Sequence, residues 1–167
     1  MKNIPVIVLL FNRPYETKKL FESLSKLKPK KLYINQDGPR KDFFKDLEMC
    51  NKVRDIALNP DWDCDVFSNV NQSNQGCRKS VSSGLDWFFE KEEFGIILED
   101  DCIPSKSFFN FSKKMLDRYK LNKSISVISG SNFQKENKII GTADYYYSKY
   151  AHCWGWSSWR RAWKYYD

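Results

Sequence analysis

Three consecutive acidic residues, Glu99, Asp100 and Asp101, directly follow the apolar segment 95–98. Neighbouring carboxylates repel one another, and a cation beside them relieves that repulsion. A hard divalent ion, Mg²⁺ or Mn²⁺, prefers oxygen ligands and often completes its shell with one carboxylate, a diphosphate and water. The alternative is a solvated acidic turn ahead of a helix that opens near Ser105. Because the triplet follows an apolar strand, we favour a metal and diphosphate site.

Two other polar segments follow apolar segments in the same way. Arg13 comes after the apolar run 4–10, and Asp37 comes after 32–35. Ligands of open α/β sheets bind beyond the carboxyl ends of the strands, so these side chains are candidates for the same site. Arg13 could grip a phosphate or a base, or form a plain surface ion pair. Asp37 could bind a ribose or base, or be an ordinary turn aspartate.

Two weaker signals accompany these residues. Asn74, two residues before Gly76 and ahead of a predicted helix, could belong to a loop whose backbone N–H groups approach a ligand. Trp154 and the tryptophans that follow it could stack against sugar rings. The helical spacing of Trp156, Trp159 and Trp163 equally predicts core packing, which we favour for most of them.

Strands and helices alternate along the chain. The apolar patterns predict strands over 4–10, 32–35, 64–67, 95–98 and 125–128, with helices near 14–28, 43–56, 81–89 and 105–119 between them. A surface loop is predicted over 131–142 and an added strand over 144–150. Right-handed crossovers then give an α/β fold, a three-layer sandwich with a mostly parallel central sheet, in a single domain over residues 1–167.

Composition narrows the class of protein. The first apolar run reads as a buried strand, not a signal peptide, and no stretch approaches the roughly 18 apolar residues that span a bilayer. Five cysteines without a C-x-x-C pair favour reduced thiols and a cytoplasmic location.

Residues 104–167 hold 12 Lys and Arg against 4 Asp and Glu. This basic excess would suit nucleotide phosphates, nucleic acid or an anionic membrane surface contacted peripherally. The alternative is a lysine-rich composition that maintains solubility.

The motifs together resemble a known family. They are Pro5-Val6-Ile7-Val8 with Asn12-Arg13-Pro14, Gln36-Asp37-Gly38, Asn74-Gln75-Gly76-Cys77, Ile97-Leu98-Glu99-Asp100-Asp101-Cys102-Ile103-Pro104 with Phe108-Phe109, and Trp154-Gly155-Trp156 with Trp159-Arg160-Arg161-Ala162-Trp163. This order resembles bacterial hemolytic-protein-like sugar transferases. More distantly it is similar to the eukaryotic β-1,2-N-acetylglucosaminyltransferases, which have the GT-A (Rossmann-like) nucleotide-diphospho-sugar transferase fold.

The resemblance implies an enzyme of polysaccharide biosynthesis that moves a sugar from a UDP-sugar to a glycan or lipid-linked acceptor, with Mn²⁺ or Mg²⁺ as cofactor. Arg13 and Asp37 match positions that hold the uridine nucleotide, and Asp101 matches the metal-binding aspartate. Glu99 and Asp100 match neighbours that contact the nucleotide and the sugar. No nucleic-acid partner is expected on this interpretation.

The chain departs from the family pattern at two places. The position of the catalytic base is occupied by Lys149, which leaves Asp144 and His152 as the nearby candidates. Relatives continue past the tryptophan-rich segment, so we expect either that part of the acceptor site is missing from these 167 residues or that they are a truncated or inactive form. Two alternatives stay open: a metal-dependent nuclease or phosphotransferase, which needs further carboxylates, and a non-catalytic module that binds a nucleotide or glycan.

Overall fold

The computed structural model describes residues 4–133 and 143–166. Strands and helices alternate over most of this length, and the chain ends in a strand followed by a short helix. The elements, in chain order, are β1 (Val6–Leu10), α1 (Pro14–Leu27), β2 (Lys31–Gln36), α2 (Phe44–Leu58), β3 (Asp65–Val70), α3 (Cys77–Lys91), β4 (Phe94–Glu99), α4 (Lys106–Arg118), β5 (Val127–Ser129), β6 (Trp156–Trp159) and α5 (Arg160–Trp163).

The strands form one six-stranded sheet in the order β3-β2-β1-β4-β6-β5. β1 pairs in parallel with β2 and β4, and β2 pairs in parallel with β3. β6 lies antiparallel to both β4 and β5, so it alone in this sheet runs against the other strands. The prediction of an α/β fold with a mostly parallel central sheet is confirmed.

Helices cover both faces of the sheet, which explains why β1 is apolar at every position. Val6, Val8 and Leu10 point to one face, where they pack with residues of α1, α2 and α4. Ile7 and Leu9 point to the other face, where they pack with Leu85, Phe88 and Phe89 of α3. A strand buried on both faces has no position that favours a polar side chain.

The strand predicted over 144–150 is wrong, and the helical spacing of Trp156 and Trp159 does not correspond to a helix. Residues 144–150 form no strand in the structure, and the antiparallel strand is β6, which holds Trp156 and Trp159 in extended backbone and not in a helix. Their spacing of three places them on opposite faces of the sheet, since side chains of a strand alternate. Trp156 packs on the α3 side, whereas Trp159 is buried on the α1 side.

Gly155 immediately precedes β6 with a φ of +73°, a backbone conformation that glycine adopts readily. The core-packing role favoured for the later tryptophans is confirmed for Trp159, which is 3% exposed, and Trp163 of α5 stacks near Phe89.

Most of the loop predicted over 131–142 lies outside the described residues. Within residues 4–133 and 143–166, no helix is long and apolar enough to cross a membrane.

Candidate functional site

The carboxyl ends of three adjacent strands meet at one edge of the sheet. β1 is flanked by β2 and β4, with Leu10 opposite Gln36 and Leu9 opposite Glu99. The polar residues that follow these strands therefore leave the sheet side by side. This is the edge at which ligands of open α/β sheets bind.

Arg13, which follows β1, forms hydrogen bonds with Asp100 and Asp101, which follow β4. Its Nε donates a hydrogen bond to Oδ2 of Asp100 at 3.0 Å, and its Nη1 donates to Oδ2 of Asp101 at 3.0 Å. Nη2 makes a further contact with Oδ1 of Asp100, so that carboxylate is held in a two-point grip. Arg13 is fixed at the start of α1, where Pro14 occupies the first helical position. One guanidinium thus compensates the charge of two adjacent aspartates.

The three acidic residues differ in their access to solvent. The Asp100 side chain is 3% exposed, and its burial raises its pKa against the opposing effect of Arg13. Burial also raises the pKa of Glu99, and repulsion from Asp101 and Asp100 adds to that shift. The Asp101 side chain is 48% exposed. Of the three, Asp101 is the carboxylate best placed to meet a ligand.

Asp101 opens onto a groove of about 430 Å³, which we call the Asp101 groove. Its lining includes the segment Cys102 to Ser105, together with Trp154 and Gly155. Trp154 is 62% exposed, so its ring is free of the core that holds Trp159. Of the tryptophans considered as a sugar-stacking wall, Trp154 is the one that lines this groove.

A metal ion at this site would need ligands from a bound molecule as well as from the protein. Among the described residues, no group of three or more His, Cys, Asp or Glu side chains is arranged to hold a metal. Asp100 already accepts hydrogen bonds on both oxygens from Arg13, which leaves Asp101 as the accessible carboxylate. A hard cation could take one ligand from Asp101 and the others from a diphosphate and water.

Asp37 lies at the same edge and fastens the loop 71–75. Its Oδ1 accepts the backbone N–H groups of Gly38 and Gln75, both at 2.9 Å, together with the amide of Asn71. Its Oδ2 accepts from Nδ2 of Asn74 at 2.9 Å. The structure therefore brings the two predicted residues Asp37 and Asn74 together. In this arrangement they bind each other, and a contact of either with a ligand stays a prediction.

Sequence reasoning missed a second charged cluster beside this edge. Asp46 of α2 is buried and accepts hydrogen bonds from Nδ2 of Asn12 at 2.7 Å and from Nε of Arg40 at 2.6 Å. The hydrogen bonds from Arg40 lower the pKa of Asp46 to about 2. Arg40 also lies over the Phe43 ring at 3.7 Å. The only sequence signal was an acidic residue in a first helical turn, which is common.

The candidates for the base lie in a neighbouring cavity. Asp144 and His152, together with Lys149, line a cavity of about 690 Å³ that we call the tyrosine cavity, since Tyr119 and Tyr145 to Tyr147 line it too. The His152 ring packs against Phe133 at 4.7 Å. The tyrosine cavity and the Asp101 groove share Ser105, Phe108 and Gly130 as lining residues. The structure thus gathers Asp144 and His152 in one cavity next to the groove of Asp101.

A scan against protein-family models finds no match to this chain, and a search of curated proteins finds none either.

Proposed function

We propose that the chain is the donor-binding core of a metal-dependent glycosyltransferase with a GT-A fold, which transfers a sugar from a UDP-sugar to a glycan or lipid-linked acceptor. The observation that carries this proposal is the junction of Arg13, Asp100 and Asp101, where the half-exposed Asp101 opens onto a groove. A cytoplasmic location, expected from the cysteines, belongs to the same proposal.

The residues of this junction would have different roles in binding the donor. Asp101 would hold Mn²⁺ or Mg²⁺ together with the diphosphate, and the ion would neutralise charge on the leaving diphosphate. Arg13 pairs with the buried Asp100 and with Asp101, which fixes the turn that carries Asp101. Asp37 keeps the loop 71–75 against the same edge, where the nucleoside would lie.

The acceptor hydroxyl must lose a proton during transfer, and a base has to lie within hydrogen-bond reach of it. Asp144 is our candidate because it is an exposed carboxylate in the cavity next to the Asp101 groove. His152 lines the same cavity, but its ring packs against Phe133. Lys149 is unsuited because a lysine is normally protonated at neutral pH.

A non-catalytic nucleotide-binding module is the second candidate. Arg13 already compensates the charges of Asp100 and Asp101, so this edge does not require a metal to be stable. A nuclease or phosphotransferase is less well supported. Its metal site would draw on further carboxylates, and the described residues contain no such cluster.

Calorimetric titration of UDP, with and without Mn²⁺, tests the proposal. We expect Mn²⁺ to raise the affinity for UDP, and UDP to raise the affinity for Mn²⁺ by the same factor, because the coupling is reciprocal. Asp101→Asn should remove this gain without unfolding the protein, since Asp101 is exposed. Asp117→Asn, which changes an exposed aspartate of α4, is the matched control.

Two outcomes of this titration count against the proposal. If Asp101→Asn stays folded and retains the full effect of Mn²⁺, Asp101 is not in the site. If UDP binds equally well with and without Mn²⁺, the non-catalytic module is favoured.

A further inference from the structure

The tyrosine cavity is large enough for a small ligand and is built from three parts of the chain. Its volume of about 690 Å³ lies within the range of roughly 300–1,000 Å³ typical of ligand sites. Residues 144–152 form one wall, and α4 and the strand β5 with its flanking residues form the others. Because it shares Phe108 and Gly130 with the Asp101 groove, a ligand bound there would lie next to that groove.

The described lining combines apolar side chains with many hydroxyl groups. Phe108, Phe111, Met115 and Ile128 supply apolar surface. Seven serines and five tyrosines also line the cavity. Asp144 and Lys149 are the only Asp, Glu, Lys or Arg residues of this lining.

Hydrogen bonds between tyrosine hydroxyl groups hold one wall of the tyrosine cavity in place. The Tyr119 hydroxyl of the α4 side lies 2.7 Å from that of Tyr145 and 2.6 Å from that of Tyr147. The Tyr145 ring also packs against Phe111 at 6.1 Å. The segment 145–147 is thereby tied to the helix although it belongs to no strand. A wall that is ordered before binding reduces the entropy lost when a ligand binds.

We propose that the tyrosine cavity binds a neutral saccharide. Hydroxyl groups donate and accept hydrogen bonds, so the serines and tyrosines match the hydroxyl groups of a sugar. Aromatic rings suit the apolar face of a sugar ring, and the Asp144 carboxylate can accept from sugar hydroxyls. A phosphorylated ligand fits less well, because Asp144 repels it and Lys149 is the one Lys or Arg of the described lining.

The role of this saccharide as the acceptor depends on the proposed glycosyltransferase function. In that reaction a saccharide hydroxyl oxygen forms a bond to the anomeric carbon of the donor sugar. The bond from that carbon to the diphosphate oxygen breaks, and UDP leaves with the bonding electron pair. The hydroxyl proton passes to a base, for which Asp144 is the candidate.

The test uses four neutral disaccharides as probes: lactose, cellobiose, maltose and N,N′-diacetylchitobiose. Glucose 1-phosphate serves as the anionic comparison. Binding is measured by saturation-transfer NMR and calorimetry on the wild type, Asp144→Ala and Tyr147→Phe. Both changed side chains are exposed, so we expect the variants to fold. Asp117→Asn and Tyr165→Phe, exposed residues outside the cavity lining, are the matched controls.

We expect at least one disaccharide to bind more tightly than glucose 1-phosphate. Asp144→Ala should weaken that binding about tenfold or more, and Tyr147→Phe about twofold to tenfold, while both controls leave it unchanged. The proposal is overturned if none of the four disaccharides binds, if both cavity variants bind normally, or if glucose 1-phosphate binds best.

Failure of this proposal is distinguishable from failure of the proposed function. Disaccharide binding in a protein that does not bind UDP supports the cavity assignment and removes the acceptor role. Mn²⁺-dependent UDP binding without disaccharide binding overturns the cavity assignment and leaves the proposed function standing.

Discussion

Replacing Arg13 with methionine removes the guanidinium that holds Asp100 and Asp101 but keeps most of the aliphatic part of the side chain. Asp101 is half exposed, so water can solvate it once the partner is gone. Asp100 is 3% exposed, and water cannot take the place of two hydrogen bonds there. The loss of stability should therefore come almost entirely from Asp100.

The magnitude follows from the burial of the two partners. Removing one partner of a fully buried ion pair costs about 3–5 kcal/mol. The Arg13 side chain is 47% exposed, which weakens its pairing, and the exposed pair with Asp101 contributes little. We therefore expect Arg13→Met to lower the free energy of unfolding by about 2–3 kcal/mol at pH 8.

The loss should depend on pH with a definite sign. Burial already raises the pKa of Asp100 in the native protein, and loss of Arg13 should raise it further. A carboxyl group whose pKa is higher in the folded than in the unfolded state favours folding when protonated. The deficit of Arg13→Met should thus be largest at pH 8 and should shrink as the pH falls toward the ordinary range of a carboxyl group.

Urea denaturation followed by tryptophan fluorescence at pH 8 and pH 5 measures these effects. The double variant Arg13→Met/Asp100→Asn should recover most of the loss, because the unpaired charge is gone. Asp100→Asn alone is the second single variant that the double-mutant cycle requires. Additive losses in the double variant, or a deficit that is equal at both pH values, would refute this account of Arg13.

Two further predictions concern residues around the same edge. Asp46→Asn should lower the free energy of unfolding by about 1–2 kcal/mol at pH 7, because Arg40 lowers the pKa of Asp46 to about 2 and the resulting stability is fully present above the ordinary carboxyl pKa. This contribution is lost progressively as the pH falls from the ordinary carboxyl pKa toward 2. Denaturation between pH 5 and pH 2.5 should therefore show the difference shrinking, and a constant difference would contradict it. Gly38→Ala should cost about 1–3 kcal/mol and weaken UDP binding, because the added Cβ would lie 2.5 Å from the Ser73 backbone and displace the loop that Asp37 holds. Thermal denaturation and UDP titration check both effects, and a variant with wild-type stability would show that the loop accommodates the methyl group.

The sequence by itself determined the order of the first eight elements and the edge of the sheet at which the candidate residues Arg13, Asp37 and Asp101 lie. Continuous apolar runs at β1 and β4 predict strands covered on both faces, and local signals such as Pro14 and Ser105 mark the starts of α1 and α4. Ser105 does cap α4, since its hydroxyl accepts the Phe108 N–H. These features are local, so a linear pattern predicts them. The meeting of the strand ends then follows from the parallel sheet.

The tertiary structure decided which groups pair with which. Trp156 and Trp159 are spaced for either a helix or a strand, and only pairing with β4 and β5 selects the strand. Arg13 meets Asp100 across 87 residues, and Asp37 meets Asn74 across 37. Hydrogen-bond partners that far apart leave no periodic trace in the sequence. Whether a carboxylate is buried, as Asp100 is, or half exposed, as Asp101 is, depends on the packing around it.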